Sequence, residues 1–334
     1  MLCIIQPSLH ILSPKFGVGC VAKMRKAKFE EKKRTLSILV LITATSMLFL
    51  FNWVTDAVPG AHVMPKVTRC NFMEIDWLSM DRSEMVHLLA EQTGLCEQAV
   101  CKLLEENRGS ELLHLQEIYF APARVESYQT TPLTVSEWLV EEDGGTGKGM
   151  PLVDVQNGDI LITKNSRFLG WRNGHVGLVV DADEGLVLEA LMLGSPSQIC
   201  RLSKWEKYPS FQVLRLKEEY GRGQTLERTE QSVWIQEAGV QSSEGEELNE
   251  YLPDAVAGYA SENLVDIPYH LLADVLRSPK ADELAIPTGT HCAHLVWYAY
   301  DQFGIDLDSD GGIIVTPEDI RNSPYLEVVQ SYGY

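Results

Sequence analysis

The sequence has little positive charge once its first 35 residues are set aside. Residues 1–35 contain eight Lys and Arg residues and two Glu residues, a net charge of +6. The whole chain has a formal charge of −19, so residues 36–334 carry −25. A body this acidic repels nucleic acid and anionic lipid headgroups, because both carry dense negative charge. The composition therefore argues against a nucleic-acid enzyme and predicts no nucleic-acid partner.

The sequence also lacks the paired cysteine spacings of a zinc ribbon or zinc finger. Its seven cysteines are Cys3, Cys20, Cys70, Cys96, Cys101, Cys200 and Cys292. Setting Cys292 aside leaves four after residue 54, which permits two disulfides in an oxidising exterior, while four free thiols remain an open alternative. If Cys96 and Cys101 share one continuous helix, about 140° around the axis separates them, and a bond between them is excluded.

A run of 19 mostly apolar residues, Leu36 to Val54, follows six basic residues between positions 25 and 34, and no comparable cluster follows it. The positive-inside rule then predicts a basic cytoplasmic N-terminus over residues 1–35 and an exported remainder. The run is long enough to span a bilayer, so residues 36–54 are predicted to be a transmembrane anchor that contacts the membrane. Cleavage as a signal segment near Ala57 or Ala61 would instead give a secreted protein, and a buried core helix is a third interpretation.

Three amphipathic patterns predict a small helical unit over residues 72–122. The predicted helices run from Ser83 to Gln92, Cys96 to Asn107 and Glu111 to Ile118. The first two have the spacing of a helix-turn-helix, but the second offers Lys102 as its only cation, which disfavours a DNA-recognition helix. Residues 125–150 are interpreted as a polar connector, because they contain too few apolar residues to fold alone.

The remaining chain predicts an α+β domain over residues 151–334. Alternating patterns bounded by Gly, Asp and Ser indicate strands at Asp159–Thr163, His175–Asp181, Leu186–Leu191, Gln198–Leu202, Phe211–Leu216 and near Leu326–Gln330. Residues 222–250 are rich in Glu, Gln and Ser and are interpreted as an exposed insertion. A helical pattern runs from Leu252 to Leu264.

Cys292 stands at the start of a second predicted helix that continues to Phe303. Pro287 and the run from Thr288 to Thr290 indicate a helix start with a hydroxyl cap. In the first turn, unpaired backbone N–H groups and the helix dipole favour a negative charge and lower the pKa of a thiol. A cysteine so placed, with a histidine elsewhere as base, could be a nucleophile, although a lone cysteine can equally be structural.

His175 and Glu189 are the candidate partners of that thiol. An odd number of loop residues, such as 182–184, would place Gly177 opposite Glu189 and His175 diagonally across from the carboxylate on the same face, whereas an even number would separate them. Gly177 would leave a gap beside the imidazole for substrate. The predicted roles are Cys292 as nucleophile, His175 as base and then acid, and Glu189 as the group that orients the ring.

These motifs, in this order, resemble the circularly permuted branch of the NlpC-type papain-like superfamily, in particular the YiiX/YebB-like group of amidases and peptidases. The resemblance rests on segments 158–162, 174–180, 292–300, 304–307 and 315–320 and on a strand Glu, and it covers residues 151–334. It implies a permuted papain-like domain in which the Cys helix packs on an antiparallel sheet. It also implies the triad Cys292, His175 and Glu189. Where the group often has Tyr-Cys-Ser-Glu, this chain has His291-Cys-Ala-His, so the residues that flank the nucleophile differ.

The resulting hypothesis is an exported thiol hydrolase that cleaves an amide bond in cell-wall peptides and needs no cofactor. A lipid or acyl ester hydrolase or acyltransferase on the same triad remains an alternative. A catalytically silent module that binds envelope fragments is another.

Two metal hypotheses compete at nearby residues. His291, Cys292 and His294 with His175 could be arranged around zinc, but adjacent helical residues point about 100° apart and do not share one ion easily. The segment from Asp306 to Ile313 opens like a calcium-binding loop, with Asp306, Asp308 and Asp310 as ligands. Its twelfth position, however, is Pro317 instead of the bidentate Glu, so a solvated acidic loop is the alternative.

Overall fold

The computed structural model describes residues 32–47, 49–50, 61–168, 170–221, 251–273 and 286–334. The chain forms two compact units, Met1–Ala57 and Val58–Tyr334. The predicted insertion at 222–250 lies outside the described residues, as do residues 1–31 of the basic N-terminus.

In the first unit, residues 32–47 and 49–50 are helical, and the apolar side chains of this helix are largely exposed. The hydroxyls of Thr43 and Thr45 donate to the carbonyls of Leu39 and Leu41, both at 2.8 Å, so these polar side chains are satisfied within the helix. Over the described residues, no helix combines the length and the apolar character that crossing a bilayer requires. Of the predicted anchor, residue 48 and residues 51–54 lie outside the described part of the chain.

The second unit is an α+β structure with two antiparallel sheets. The larger sheet has the order β7-β6-β5-β3-β8-β9, and the smaller one the order β1-β2-β4. The strands are β1 Val125–Gln129, β2 Thr134–Leu139, β3 Ile160–Thr163, β4 Ser166–Phe168, β5 His175–Asp181, β6 Leu186–Glu189, β7 Gln198–Arg201, β8 Phe211–Leu216 and β9 Leu326–Tyr332. The helices are α1 Arg82–Thr93, α2 Glu97–Glu105, α3 Gly109–Tyr119, α4 Glu218–Gly221, α5 Leu252–Asn263, α6 Cys292–Asp301 and α7 Pro317–Arg321, with a 3₁₀ helix at Leu202–Lys207.

Helices cover both faces of the six-stranded sheet. Ile160 and Ile162 of β3 belong to a buried cluster with residues of α5 and α6, whereas Leu161 between them belongs to a second cluster with residues of α1, α2 and α3. This division follows from the two-residue period of a strand. Full burial of each such side chain contributes about 1.5–3 kcal/mol. The sequence-predicted helical unit is therefore part of the core that supports the sheet.

The turn between α1 and α2 packs directly on β9. Gly94 ends α1 with φ of 69°, and a Cβ atom there would lie 2.2 Å from the carbonyl oxygen of Ser331. Its own carbonyl accepts a 2.7 Å hydrogen bond from the Ser331 N–H, and the Cys96 N–H donates to Val329. Glycine is needed here both for the left-handed backbone and for the close approach of β9. The turn with helix-turn-helix spacing thus pairs with the sheet.

The interpretation of residues 125–150 as a connector is wrong, because β1 and β2 lie within them. β2 contains Glu137, which is 2 % exposed. Its carboxylate accepts hydrogen bonds from Arg167 at 2.6 Å, Arg172 at 2.5 Å and Asn165 at 2.8 Å. Burial would raise the pKa of Glu137, but Arg172, Asn165 and Arg167 together lower it. Part of the buried interior around β2 is therefore formed by paired charges, which a prediction based on apolar residues alone does not detect.

Candidate active site

Cys292 lies in the first turn of α6, as predicted, and is its first residue, but the residue that caps the helix differs. The N-cap is His291, whose ring Nδ1 accepts a 3.4 Å hydrogen bond from the backbone N–H of His294. The Thr290 hydroxyl contacts Nδ1 of the His294 ring at 3.0 Å and donates to the His291 carbonyl. The expected hydroxyl cap is therefore an imidazole. The N–H of Cys292 has no acceptor within the helix, since it belongs to the first turn.

His175 and Glu189 meet as predicted. The His175 Nε2 lies 2.9 Å from Glu189 Oε2, and the two residues are 1 % and 0 % exposed. Gly177 pairs directly with Glu189 in the β5–β6 ladder, which places His175 diagonally across from the carboxylate.

The odd loop length that was expected to produce this register is not present. Four residues connect β5 and β6, from Ala182 to Gly185, and an even loop alone would put the two side chains on opposite faces. The pairing shifts by one residue between Val179 and Asp181, where a β-bulge interrupts the ladder. The extra residue of the bulge restores the odd count and returns His175 and Glu189 to one face.

The imidazole of His175 connects the carboxylate to the thiol. Since Nε2 is bonded to Glu189, Nδ1 is the ring nitrogen left for Cys292. Burial would raise the pKa of Cys292, but hydrogen bonding and charge from His175, together with His291, lower it to about 6. Burial would lower the pKa of His175, yet its interactions with Cys292 and Glu189 raise it. These directions favour a thiolate–imidazolium pair at neutral pH.

Glu189 keeps its charge in this buried position because two cations contact it. Lys204 of the 3₁₀ helix donates to Oε1, while His175 contacts Oε2. Burial would raise the pKa of Glu189, but His175 and then Lys204 lower it to about 2. When Cys292 is a thiolate and His175 is protonated, the negative charges of Cys292 and Glu189 are balanced by the positive charges of His175 and Lys204. The sequence offered no signal for Lys204, because an isolated lysine in a polar turn is typical of any surface.

Trp205 fills the space that Gly177 was expected to leave for substrate. A Cβ atom at Gly177 would lie 2.7 Å from Trp205 Cζ2 and 2.8 Å from Val187 Cγ1. Trp205 is fully buried and is stacked on the His175 ring. The gap beside the imidazole is thus closed by protein, and the prediction of a substrate pocket at Gly177 is wrong. Trp205 is a second site residue that the sequence did not reveal.

Cys292 is partly exposed as a residue, while His175 and Glu189 are buried. Tyr269 forms an isolated parallel bridge with Thr290 near the start of α6. Burial raises the pKa of Tyr269, and the charge of Cys292 raises it further.

The zinc hypothesis has no geometric support in the part of the chain that the structure describes. His175, His291, Cys292 and His294 do not bring three ligand atoms within 4.8 Å of one another. His294 is 3 % exposed, and its ring Nδ1 contacts Thr290.

The acidic loop differs from the predicted calcium ligand set. Asp308 and Asp310 come together with Asp319 of α7, their carboxylate oxygens within 4.8 Å, so this group could hold a metal ion. Asp306 instead accepts hydrogen bonds from the Trp297 indole N–H at 2.8 Å and from the Asp308 N–H. Oδ2 of Asp319 accepts hydrogen bonds from the backbone and hydroxyl of Thr316, as part of a capping box. The aspartates are thus largely occupied by their own loop.

Five cysteines lie among the described residues, and all five are free. Cys96 is the N-cap of α2, where its sulfur accepts a hydrogen bond from the Ala99 N–H. The helix therefore begins after Cys96, so the condition of one continuous helix, on which the exclusion of a Cys96–Cys101 bond rested, is not met.

Comparisons of the chain with protein-family models, with curated proteins and with solved structures find no match.

Proposed function

We propose that the protein is a thiol hydrolase that cleaves an amide bond with Cys292, His175 and Glu189. The observation that carries this proposal is the buried imidazole of His175, which contacts the Glu189 carboxylate at 2.9 Å and interacts with a thiol whose pKa is lowered to about 6. A thiol of ordinary pKa is mostly protonated at neutral pH and reacts slowly. The arrangement meets the requirements of nucleophilic catalysis: an activated thiol, a base beside it, and a group that orients the base.

The reaction follows from the protonation states of these groups. The Cys292 thiolate attacks the carbonyl carbon, and His175 donates its proton to the leaving amine as the C–N bond breaks. The resulting thioester is then attacked by water, which gives one proton to His175. The C–S bond breaks, the carboxylic acid product leaves, and the thiolate–imidazolium pair forms again.

The packing of the Cys292 helix on the sheet also supports the proposal. A helix that begins at the nucleophile contacts β5, the strand of an antiparallel sheet that contains the histidine. This arrangement, together with the order His175, Glu189, Cys292, is what a permuted papain-like domain of the NlpC-type superfamily requires. We assign the chain to that architecture as part of the proposal.

We further propose that the substrate is a cell-wall peptide and that residues 36–54 anchor the protein with its second unit outside the cytoplasm. The basic cluster before residue 36 supports this orientation. Protease added to intact cells with the wall removed should digest the chain after residue 54 and spare residues 25–34. A mature chain that starts after Ala57 or Ala61 would replace the anchor by a cleaved signal. Digestion of the segment 25–34 would overturn the orientation.

The enzymatic proposal is tested by turnover of wall peptides and by trapping of the acyl intermediate. Cys292→Ala should abolish release of the amine and the mass increase of the acylated protein, without unfolding it. Cys101→Ala is the matched control, because it removes another partly exposed thiol, on α2, and should keep full turnover. Turnover by the Cys292→Ala protein would exclude this nucleophile. Turnover of acyl esters without that of peptides would replace the amide substrate by an ester.

A further inference from the structure

His291 has a buried ring nitrogen that its role as a helix cap does not explain. The residue is 6 % exposed, and its Nε2 has no hydrogen-bond partner among the described residues. An unsatisfied buried polar atom is unfavourable by about 1–3 kcal/mol, so such an atom calls for an explanation.

The cap fixes which nitrogen holds the proton. Nδ1 of His291 accepts the hydrogen bond from the His294 N–H, so in the neutral ring the proton is on Nε2. The unpartnered atom is therefore a donor. His291 directly precedes the nucleophile, and hydrogen bonding and charge from its ring contribute to the lowered pKa of the Cys292 thiol, so the ring acts on the sulfur as well as capping the helix. A buried N–H donor beside the attacking sulfur is what a developing negative oxygen needs.

We propose that Nε2–H of His291 donates a hydrogen bond to the substrate oxygen that becomes negatively charged when Cys292 attacks, and that the backbone N–H of Cys292 is the second donor. This assignment rests on the proposed function, since the oxygen gains charge only in acyl transfer. It makes His291 a catalytic residue in addition to the triad. The helix cap has two consequences here: it orients the ring and selects the tautomer that can donate.

Two small reagents separate this role from a general effect on the thiol. Iodoacetamide alkylates a thiolate by displacement at carbon, without an oxyanion, whereas p-nitrophenyl acetate reacts through a tetrahedral oxyanion. The ratio of the two second-order rate constants at Cys292 therefore reports oxyanion stabilisation and cancels changes in the thiolate fraction. His291→Asn retains a good N-cap and removes Nε2. His291→Ser does the same if the Asn variant fails to fold.

The ratio of acetylation to alkylation should fall by about 10²-fold in His291→Asn, the loss typical of one oxyanion donor. In the control His294→Asn, which removes a neighbouring buried imidazole, the ratio should stay at the wild-type value. An unchanged ratio in the His291 variants, or an equal fall in His294→Asn, would overturn the assignment while leaving the triad intact. If wild-type Cys292 reacted no faster than free cysteine with either reagent, the proposed function would fail, and the assignment with it.

Discussion

The indole of Trp205 lies flat against the imidazole of His175, with ring centroids 5.3 Å apart and an angle of 11° between the planes. The indole stacks on one face of the His175 ring and closes the space above Gly177. It thereby keeps water from the hydrogen bond between His175 and Glu189, and in a dry environment that bond is stronger. Gly177 is needed because any side chain there would occupy the place of the indole.

Gly177→Ala should therefore destabilise the protein by about 1–3 kcal/mol through overpacking and should lower activity by displacing Trp205 from His175. Urea unfolding and turnover measure the two effects. Gly258→Ala is the control, because no atom lies within 4 Å of a Cβ at that helical position. There the alanine should stabilise α5 by about 0.5–1 kcal/mol. Equal stabilities of the two variants would contradict the packing described here.

Glu189→Gln should reduce turnover by about 10²-fold, because an amide can still orient the ring but no longer stabilises its positive charge. The stability should also change with pH. Since the pKa of Glu189 is lowered to about 2 from an unfolded value of about 4.3, its charge stabilises the fold above pH 4.3, and this contribution is lost as the pH falls through 2.

The difference in unfolding free energy between wild type and Glu189→Gln should thus be largest above pH 4.3 and shrink toward pH 2. Urea titrations at several pH values measure it. A difference that stays constant over this range would show that Glu189 is not a buried, charged partner of His175 and Lys204.

The sequence predicted the regular parts of the site well, since they depend on periodicity. β5 and β8 have the predicted bounds, and Cys292 lies in the first turn of α6 as predicted. The three helices before residue 122 also match their predicted bounds to within two residues. The contact between His175 and Glu189 was also predicted. The β-bulge that produces it was not, because it depends on local backbone geometry that the pattern of apolar and polar residues does not indicate.

What the sequence missed depends on long-range pairing. β1 has mostly exposed residues, so its pattern does not indicate a buried strand. In the sequence alone, Glu137 of β2 cannot be told from a surface charge, because its partners Arg167 and Arg172 belong to other segments. Lys204 and Trp205 reach the site only because the 3₁₀ helix after β7 folds back over Gly177. Interactions of this kind need the tertiary structure, because neither partner is unusual alone.

Glu137→Gln tests whether residues 125–150 belong to the folded core. Removing one partner from a buried ion pair leaves the arginines unbalanced, and the expected loss of stability is about 3 kcal/mol. Glu126→Gln breaks the exposed pair with Arg124 in the neighbouring strand and should change stability by about 0.5 kcal/mol or less. Chemical denaturation compares the two. If both variants lost only about 0.5 kcal/mol of stability or less, residues 125–150 would instead be a connector outside the folded core.

The free cysteines should differ sharply in reactivity. Burial, with the charge of Glu189, raises the pKa of Cys200 to about 12, whereas that of Cys292 is lowered to about 6. Brief alkylation of the native protein at pH 7, followed by peptide mapping, should therefore label Cys292 first and leave Cys200 unlabelled until the protein is denatured. Comparable labelling of both residues would contradict these opposite shifts. A disulfide that joins Cys292 to another cysteine in active protein would exclude the mechanism.

The pH dependence of Cys292 alkylation tests most directly whether His175 maintains this residue as a thiolate. In the wild type, the rate constant for iodoacetamide should rise with a midpoint near pH 6, the lowered pKa of the thiol. In His175→Ala the hydrogen bond and the charge of His175 are lost, while burial and the contribution of His291 remain, so the midpoint should rise from about 6 toward about 8.5, the ordinary value for cysteine. A wild-type midpoint near 8.5, or the same midpoint in both proteins, would contradict the thiolate–imidazolium pair and the hydrolase built on it.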